Sequence, residues 1–148
     1  MEGWRPTVAA IIERQGRFLV VEETDGRHPE RVFNQPAGHQ DPGETMLEAV
    51  VRETREETGL VFTPEAFVGI YHVKARNGRD YLRAAFAGTV PEGPEPRPED
   101  PVILGCRWLT REEIAARPRS SAVLACIDDF LAGARYPLAL VRHLHEDR

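Results

Sequence analysis

Three glutamates with helical spacing are the residues of this sequence best suited to chemistry. Glu53, Glu56 and Glu57 stand at i, i+3 and i+4, which places their side chains on one face of an α-helix. Like charges at these spacings destabilise a helix, so a compensating positive charge is expected. Divalent cations such as Mg²⁺ take carboxylate oxygens and keep positions for water and phosphate. The pattern therefore predicts a metal site that handles phosphate groups.

The residues around these acids follow a spaced pattern over 38–60, which reads GHQDPGETMLEAVVRETREETGL. Its fixed positions are Gly38, Glu44, Arg52, Glu53, Glu56, Glu57, Gly59 and Leu60. Thr54 alone departs from the pattern, because an aliphatic residue is usual there. The segment resembles the Nudix box, the signature of the Nudix hydrolase family, and the name Nudix box is used below for residues 38–60.

The resemblance implies a magnesium-dependent enzyme. In this family Glu53, Glu56 and Glu57 bind Mg²⁺, for which Mn²⁺ is a possible substitute, and the Gly38 carbonyl is a further ligand. Either Glu53 or Glu56 is the base that takes a proton from water, and we favour Glu56. Arg52 orients the catalytic glutamates through a salt bridge.

Two acids near the start of the helix have competing interpretations. Glu44 either belongs to the metal site or only complements the helix dipole. Glu48 and Arg52 stand at i, i+4 and form the kind of pair found on a solvated helix face. A solvated face is therefore the alternative for the whole acidic stripe, and the glycines and Arg52 at their offsets argue against it.

Alternating patterns predict an α/β protein with one domain over residues 1–148. Strands are expected at 7–12, 18–21, 32–35, 66–74, 81–90 and 103–109, with a hairpin joining the first two. Helices are expected from residue 44 or 45 to a Gly59 cap, at 110–117 and at 121–131. The proline-rich segment 91–101 is interpreted as an exposed stiff loop. The Nudix resemblance implies an α/β/α sandwich around a mixed β-sheet.

Four further residues are candidates for substrate binding. Arg83 lies among apolar residues, where a charge is costly unless paired, and its guanidinium suits phosphate oxygens. A salt bridge or an edge-strand position explains Arg83 equally well. Asn34 and Gln35 are suited to hydrogen bonds with a base or phosphate, or to capping a turn. His39 lies inside the Nudix box and is a candidate contact to substrate or water.

Composition limits the partners. The chain has 148 residues and a net charge of −5, which argues against a long nucleic-acid duplex. Cys106 and Cys126 lie in apolar stretches and are expected to be reduced thiols. The sequence shows neither a signal-peptide pattern nor an apolar run of membrane-spanning length, so a cytoplasmic protein is expected. Both a monomer and a homodimer remain open.

The expected function is Mg²⁺-dependent hydrolysis of a small-molecule phosphate anhydride. Flanking segments such as FNQPAGH (33–39) and CRWLTREEI (106–114) resemble a bacterial phosphatase subgroup of the Nudix family. That subgroup implies nucleoside di- and triphosphates, or hydroxymethylpyrimidine and thiamin pyrophosphates, as substrates. The alternatives are a non-catalytic ligand-binding module and a hydrolase of another nucleoside diphosphate derivative such as ADP-ribose. Many relatives have an acid at the position of Val102, so a ligand from that strand is in doubt.

Overall fold

A computed structural model describes residues 3–146. Within this range the chain forms seven β-strands, three α-helices and one 3₁₀ turn. In chain order they are β1 (Trp4–Arg14), β2 (Arg17–Glu23), β3 (Val32–Asn34), β4 (Ala37–His39), α1 (Met46–Thr58), β5 (Thr63–Lys74), β6 (Asp80–Thr89), β7 (Gly105–Leu109), α2 (Arg111–Ala115), α3 (Ser121–Leu131) and the 3₁₀ turn (Leu138–Leu140).

The strands form one mixed sheet with β1 at its centre. The order is β3-β2-β1-β6-β5, with β4 paired to β1 and β7 paired to β2. Strands β1 and β6 run parallel, whereas the other pairs are antiparallel. Strand β1 thereby lies between β4, which contains the first residues of the Nudix box, and β6, which carries Arg83.

Helices cover both faces of the sheet, because β1 alternates its apolar side chains between them. Val8, Ala10 and Ile12 share one core cluster with Ala49 and Val50 of α1. Ile11 belongs to the second cluster, which contains Ile114 of α2 and four residues of α3, namely Val123, Cys126, Ile127 and Phe130. The predicted α/β/α sandwich with a mixed sheet is confirmed.

Two turns join antiparallel neighbours in the sheet, and the first of them is the predicted hairpin. Gln15 and Gly16 both have positive φ, at 52° and 80°, and they close the β1–β2 hairpin in the two-residue form that favours such angles. Strands β5 and β6 are joined through a loop over 75–79, where Gly78 has a φ of 84° and donates to the Ala75 carbonyl.

The sequence interpretation was incomplete at several boundaries. Strand β4 was not predicted, because Pro36 and Gly38 are typical of loops. Strand β7 begins at Gly105 rather than at residue 103, and α2 ends at Ala115. Both cysteines are free thiols, as expected. Within residues 3–146, no helix is long and apolar enough to cross a membrane.

Candidate active site

Local signals fix the position and rotation of α1. The Thr45 side chain accepts from the Glu48 backbone N–H at 3.0 Å, and the Glu48 carboxylate accepts from the Thr45 N–H at 2.9 Å. This capping box satisfies two N–H groups that have no partner inside the helix. Thr54 is fully buried, and its hydroxyl donates to the Val50 carbonyl at 2.7 Å. The departure from the Nudix pattern therefore leaves no polar group unpaired in the core.

Arg52 is the centre of the charged cluster on α1. Its Nε donates to Glu44 Oε2 at 2.7 Å and its Nη2 to Glu44 Oε1 at 3.0 Å, a bidentate pair. Its Nη1 donates to Glu53 at 3.0 Å and to Glu56 at 3.1 Å. Nη2 also donates to the His39 carbonyl at 2.9 Å. One guanidinium thus contacts three glutamates of the Nudix box.

Glu48 and Arg52 have other partners than each other, unlike the i, i+4 pair expected on a solvated helix face. Glu48 is occupied by the capping box, whereas Arg52 pairs with Glu44, eight residues earlier. The Arg52 guanidinium lowers the pKa of Glu44 by hydrogen bonding. Glu44 is thus an ionised partner that fixes the position of Arg52.

Gly38 on β4 leaves space for Glu53. A Cβ atom added at Gly38 would overlap the Glu53 carboxylate, so every other residue would displace it. Burial raises the pKa of Glu53, against the opposing effect of the Arg52 charge. The glycine at the start of the Nudix box therefore allows a helix carboxylate to lie against the strand backbone.

Glu57 is the most deeply buried acid of the cluster. It is 7% exposed, and its Oε1 accepts from the Ala37 N–H of β4 at 3.0 Å. Burial raises its pKa to about 9, and the charges of Glu53, Glu23 and Asp100 act in the same direction. A carboxyl group in such a site needs a nearby cation to ionise at neutral pH.

The cluster suits a hard divalent cation, because its glutamates offer carboxylate oxygens. These carboxylates lie beside Gly38, whose lack of a side chain leaves room for Glu53. Across residues 3–146, however, no three His, Cys, Asp or Glu side chains are arranged around one point as metal ligands. The Arg52 guanidinium contacts Glu53 and Glu56, while Glu57 points to the β4 backbone. The residue types fit the ion, and the carboxylates must turn from their present partners to share it.

A second polar cluster surrounds Arg83. This residue is only 9% exposed, and its Nη1 donates to Gln35 Oε1 at 2.6 Å while its Nη2 donates to Asn34 Oδ1 at 3.0 Å. Among the described residues no carboxylate forms an ion pair with it. The structure therefore brings together three of the predicted substrate-binding residues, and neutral amide oxygens hold the guanidinium.

Gln35 contributes to this cluster as a support. It is 2% exposed, and its Nε2 donates to the Val123 carbonyl of α3 at 2.9 Å. Both ends of its amide are occupied, so direct contact with substrate, as predicted from sequence, is not supported by this geometry. Asn34 is less buried and also approaches Glu23 at 3.4 Å.

Glu23 is a site residue that the sequence interpretation missed. It ends β2, its side chain is 17% exposed, and its Oε1 lies 3.3 Å from Arg119 Nε. Burial raises its pKa, which the charges of Arg119 and Arg83 oppose. Because Glu23 in turn raises the pKa of Glu57, it links the two clusters electrostatically. The only sequence signal was a pair of acids, Glu22 and Glu23, at the end of an apolar run.

His39 lies on the same face of the sheet as Arg83. Both residues are paired with Thr7 of β1, and directly opposite residues share a face. The His39 ring is 6.4 Å from the Tyr81 ring, centroid to centroid. An open cavity of about 740 Å³ borders His39 and Glu44, and the C-terminal His143 and His145 line its other side.

Other aromatic residues have structural roles. Phe33 and Phe86 are buried in the core. The Tyr71 hydroxyl donates to Asp129 at 2.6 Å. His72 stacks on Trp4 at 4.9 Å, on the face of the sheet opposite Arg83.

The sandwich and the glutamate-bearing helix define a Nudix protein, and the profile of the NUDIX domain family matches residues 3–127. The chain belongs to this family and is a hydrolase that acts on phosphate anhydrides. Phosphatase NudJ of Escherichia coli strain K12 is 39% identical to it over 138 residues, which cover 91% of this chain and 88% of NudJ. This relative confirms the predicted resemblance to a bacterial phosphatase subgroup.

Solved structures agree with this assignment. A NUDIX hydrolase from Nitrosomonas europaea is 42% identical and superimposes with a TM-score of 0.86, covering 95% of this chain and 97% of its own. The NUDIX domain of Shewanella oneidensis NrtR, in complex with ADP ribose, has a TM-score of 0.72 at 16% identity and covers 89% of both chains. The second likeness concerns the fold alone. Nudix hydrolases generally use a divalent metal ion.

Proposed function

We propose that this enzyme hydrolyses phosphate anhydride bonds in nucleoside di- or triphosphates, or in hydroxymethylpyrimidine or thiamin pyrophosphate, with Mg²⁺ as its cofactor. The observation that carries the proposal is a pair of unlike clusters that Glu23 links electrostatically. Buried glutamates suited to a cation lie on α1, and β6 carries the buried guanidinium of Arg83, which has no carboxylate partner among residues 3–146. Such a pair of clusters suits a ligand that carries both phosphate groups and a bound cation. The phosphatase name of the Escherichia coli relative supports the same reaction class.

Glu53, Glu56, Glu57 and the Gly38 carbonyl would hold Mg²⁺, with Mn²⁺ as a possible substitute. The chemistry supplied by the bound ion is neutralisation of phosphate oxygens and acidification of water. Arg52 acts as a positioning residue, because its contacts fix the carboxylates of Glu53 and Glu56 relative to one another.

Glu56 is our candidate for the base. Its side chain is 40% exposed, compared with 13% for that of Glu53, so water reaches Glu56 more readily. Its carboxylate takes the proton from the attacking water, whose oxygen forms the new bond to phosphorus while the bridging P–O bond breaks. Glu53 is the alternative base.

Arg83 binds a phosphate oxygen of the substrate. A guanidinium has five N–H donors, of which Asn34 and Gln35 accept from two, and the proposal assigns remaining donors to the phosphate oxygen. Asn34 and Gln35 hold Arg83 in place. His39 contacts the organic part of the substrate from the side of the open cavity.

Product analysis with purified protein tests this proposal. Release of orthophosphate and pyrophosphate is measured for nucleoside di- and triphosphates and for the two pyrimidine-containing pyrophosphates, with and without Mg²⁺. Glu56→Gln is compared with Glu48→Gln, which keeps the side-chain oxygen that caps α1. We expect turnover to need Mg²⁺, and Glu56→Gln to lower kcat by about 10²–10⁴-fold while Glu48→Gln leaves it unchanged.

Each failure identifies the part that is wrong. Undiminished turnover in Glu56→Gln rejects this residue as the base, and turnover without a divalent ion rejects the cofactor. Binding without turnover for every substrate would favour a ligand-binding module. Turnover confined to ADP-ribose would replace the proposed substrates.

A further inference from the structure

The proline-rich segment 91–101 is attached to the active-site helix through its backbone. Most of its side chains are exposed, in agreement with the expected loop, but its second half lies against the C-terminal end of α1. The Arg97 N–H donates to the Thr58 carbonyl at 2.7 Å. The Glu99 and Asp100 N–H groups donate to the Glu56 carbonyl at 2.8 Å and 3.0 Å.

These bonds satisfy helix carbonyls that otherwise have no partner, since the last four C=O groups of a helix lack intrahelical donors. The Glu57 carbonyl accepts from the Cys106 thiol at 3.2 Å, and the Arg55 carbonyl accepts from the Gly59 N–H at 2.7 Å. The peptide groups of both Glu56 and Glu57 are therefore held by residues that follow 43 to 49 positions later in the chain.

Gly59 makes this close contact possible. Its φ is 73°, and a Cβ atom there would lie 2.6 Å from the Arg97 carbonyl oxygen. Real side chains do not approach a backbone oxygen so closely, so any other residue would separate segment 97–100 from the helix.

We propose that Arg97–Asp100 is a positioning element of the active site: its backbone N–H groups fix the end of α1 so that Glu56 and Glu57 bind the cation. This inference rests on the proposed function. The coupling must be reciprocal, because a segment that favours cation binding is itself stabilised when the cation binds.

The first experiment removes one N–H donor. Arg97→Pro loses the bond to Thr58, while the matched control Arg97→Ala loses only the side chain. Pro98 already restricts residue 97 to extended conformations, which proline can adopt. We expect Arg97→Pro to weaken Mn²⁺ affinity, measured by electron paramagnetic resonance, about tenfold and to lower kcat with little change in KM. Arg97→Ala should behave as the parent does.

Equal Mn²⁺ affinity and equal kcat in these two variants would overturn the inference. A second measurement needs no substitution and therefore decides the matter even where Arg97→Pro fails to fold. Amide hydrogen exchange is followed in the parent protein with and without Mg²⁺. The amides of Arg97, Glu99 and Asp100 should exchange at least several-fold more slowly with Mg²⁺, whereas those of Ala75 and Gly78, in a remote loop, should not change.

Unchanged exchange at all three amides, in a protein that binds Mn²⁺, would reject the positioning element and leave the proposed function intact. A parent protein that binds no Mn²⁺ would instead reject the proposed cofactor, and the inference with it. The Mn²⁺ titration of the parent therefore separates the two failures.

Discussion

Arg52 and Arg83 are both shielded from water, but their charges are balanced differently. The side chain of Arg52 is 22% exposed and contacts Glu44, Glu53 and Glu56. Arg83 is 9% exposed and contacts the amide oxygens of Asn34 and Gln35. The charge of Arg52 is balanced by carboxylates of the protein, so this residue orients them. The charge of Arg83 is solvated by amide dipoles, and in the proposed function it binds an anionic substrate group.

Among the substitutions that test this difference between Arg52 and Arg83, Arg52→Lys is expected to change the kinetics most. The ammonium keeps the charge but cannot reproduce a guanidinium fork that contacts three glutamates. We expect kcat to fall about 10–100-fold with little change in KM, because positioning of the carboxylates is lost. Steady-state kinetics at saturating Mg²⁺ measure both constants. An unchanged kcat would show that Arg52 does not position the acids.

Arg83→Ala should act on substrate binding. Loss of a charged hydrogen bond to phosphate predicts a rise in KM of about 10–100-fold, while Mn²⁺ affinity stays constant. Arg111→Ala is the matched control, because Arg111 is paired with Asp128 away from the site. A KM equal to that of the control would place Arg83 outside the substrate site.

Glu57→Gln should stabilise the protein without metal, in a pH-dependent way. The folded pKa of Glu57 is raised from 4.5 to about 9, so above pH 4.5 the unfolded chain ionises while the folded protein keeps its proton. Ionisation of Glu57 in the unfolded chain therefore lowers the free energy of unfolding progressively as pH rises from 4.5 toward 9. Glutamine keeps the acceptor for Ala37 and removes this loss.

Thermal melts in a chelator measure this effect. We expect Glu57→Gln to raise Tm by a few degrees at pH 8 and by much less at pH 5, since about 1 kcal/mol shifts Tm by roughly 2–4 °C at this size. Mg²⁺ should reverse the order at pH 8, because it stabilises the parent by binding. The same Tm difference at both pH values would contradict the raised pKa.

Thr54→Val should have the smallest effect. The valine restores the aliphatic residue of the Nudix pattern, and Val50 keeps its backbone hydrogen bond when the buried hydroxyl is lost. We expect kcat and Mn²⁺ affinity to match the parent, with Tm within about 2 °C. A tenfold change in kcat would mean that Thr54 contributes to the site beyond packing.

Local patterns made much of the α1 region predictable. The spacing of Glu53, Glu56 and Glu57 depends on one helix, and the Gly59 cap is a local signal. Strand β4 was missed because three residues beside Pro36 have no periodicity of their own. It forms only because β1 supplies its hydrogen-bond partners.

Contacts distant in sequence were harder to predict. The parallel pairing of β1 and β6 places Arg83 beside Thr7 and on the same face of the sheet as His39, and no local signal specifies that register. Glu23 entered the site through the fold in the same way. The attachment of segment 97–100 to α1 uses backbone N–H groups, which every residue except proline has, so side-chain patterns cannot reveal it.

Binding of Mn²⁺, followed by electron paramagnetic resonance, most directly tests the division between the two clusters. The titration compares the parent with Glu57→Gln and Arg83→Ala. We predict that Glu57→Gln weakens Mn²⁺ binding at least tenfold, because it removes an acid of the α1 cluster. Arg83→Ala should bind Mn²⁺ as the parent does. Absence of binding to the parent, or equal losses in the two variants, would contradict the assignment of one cluster to the cation and the other to the substrate.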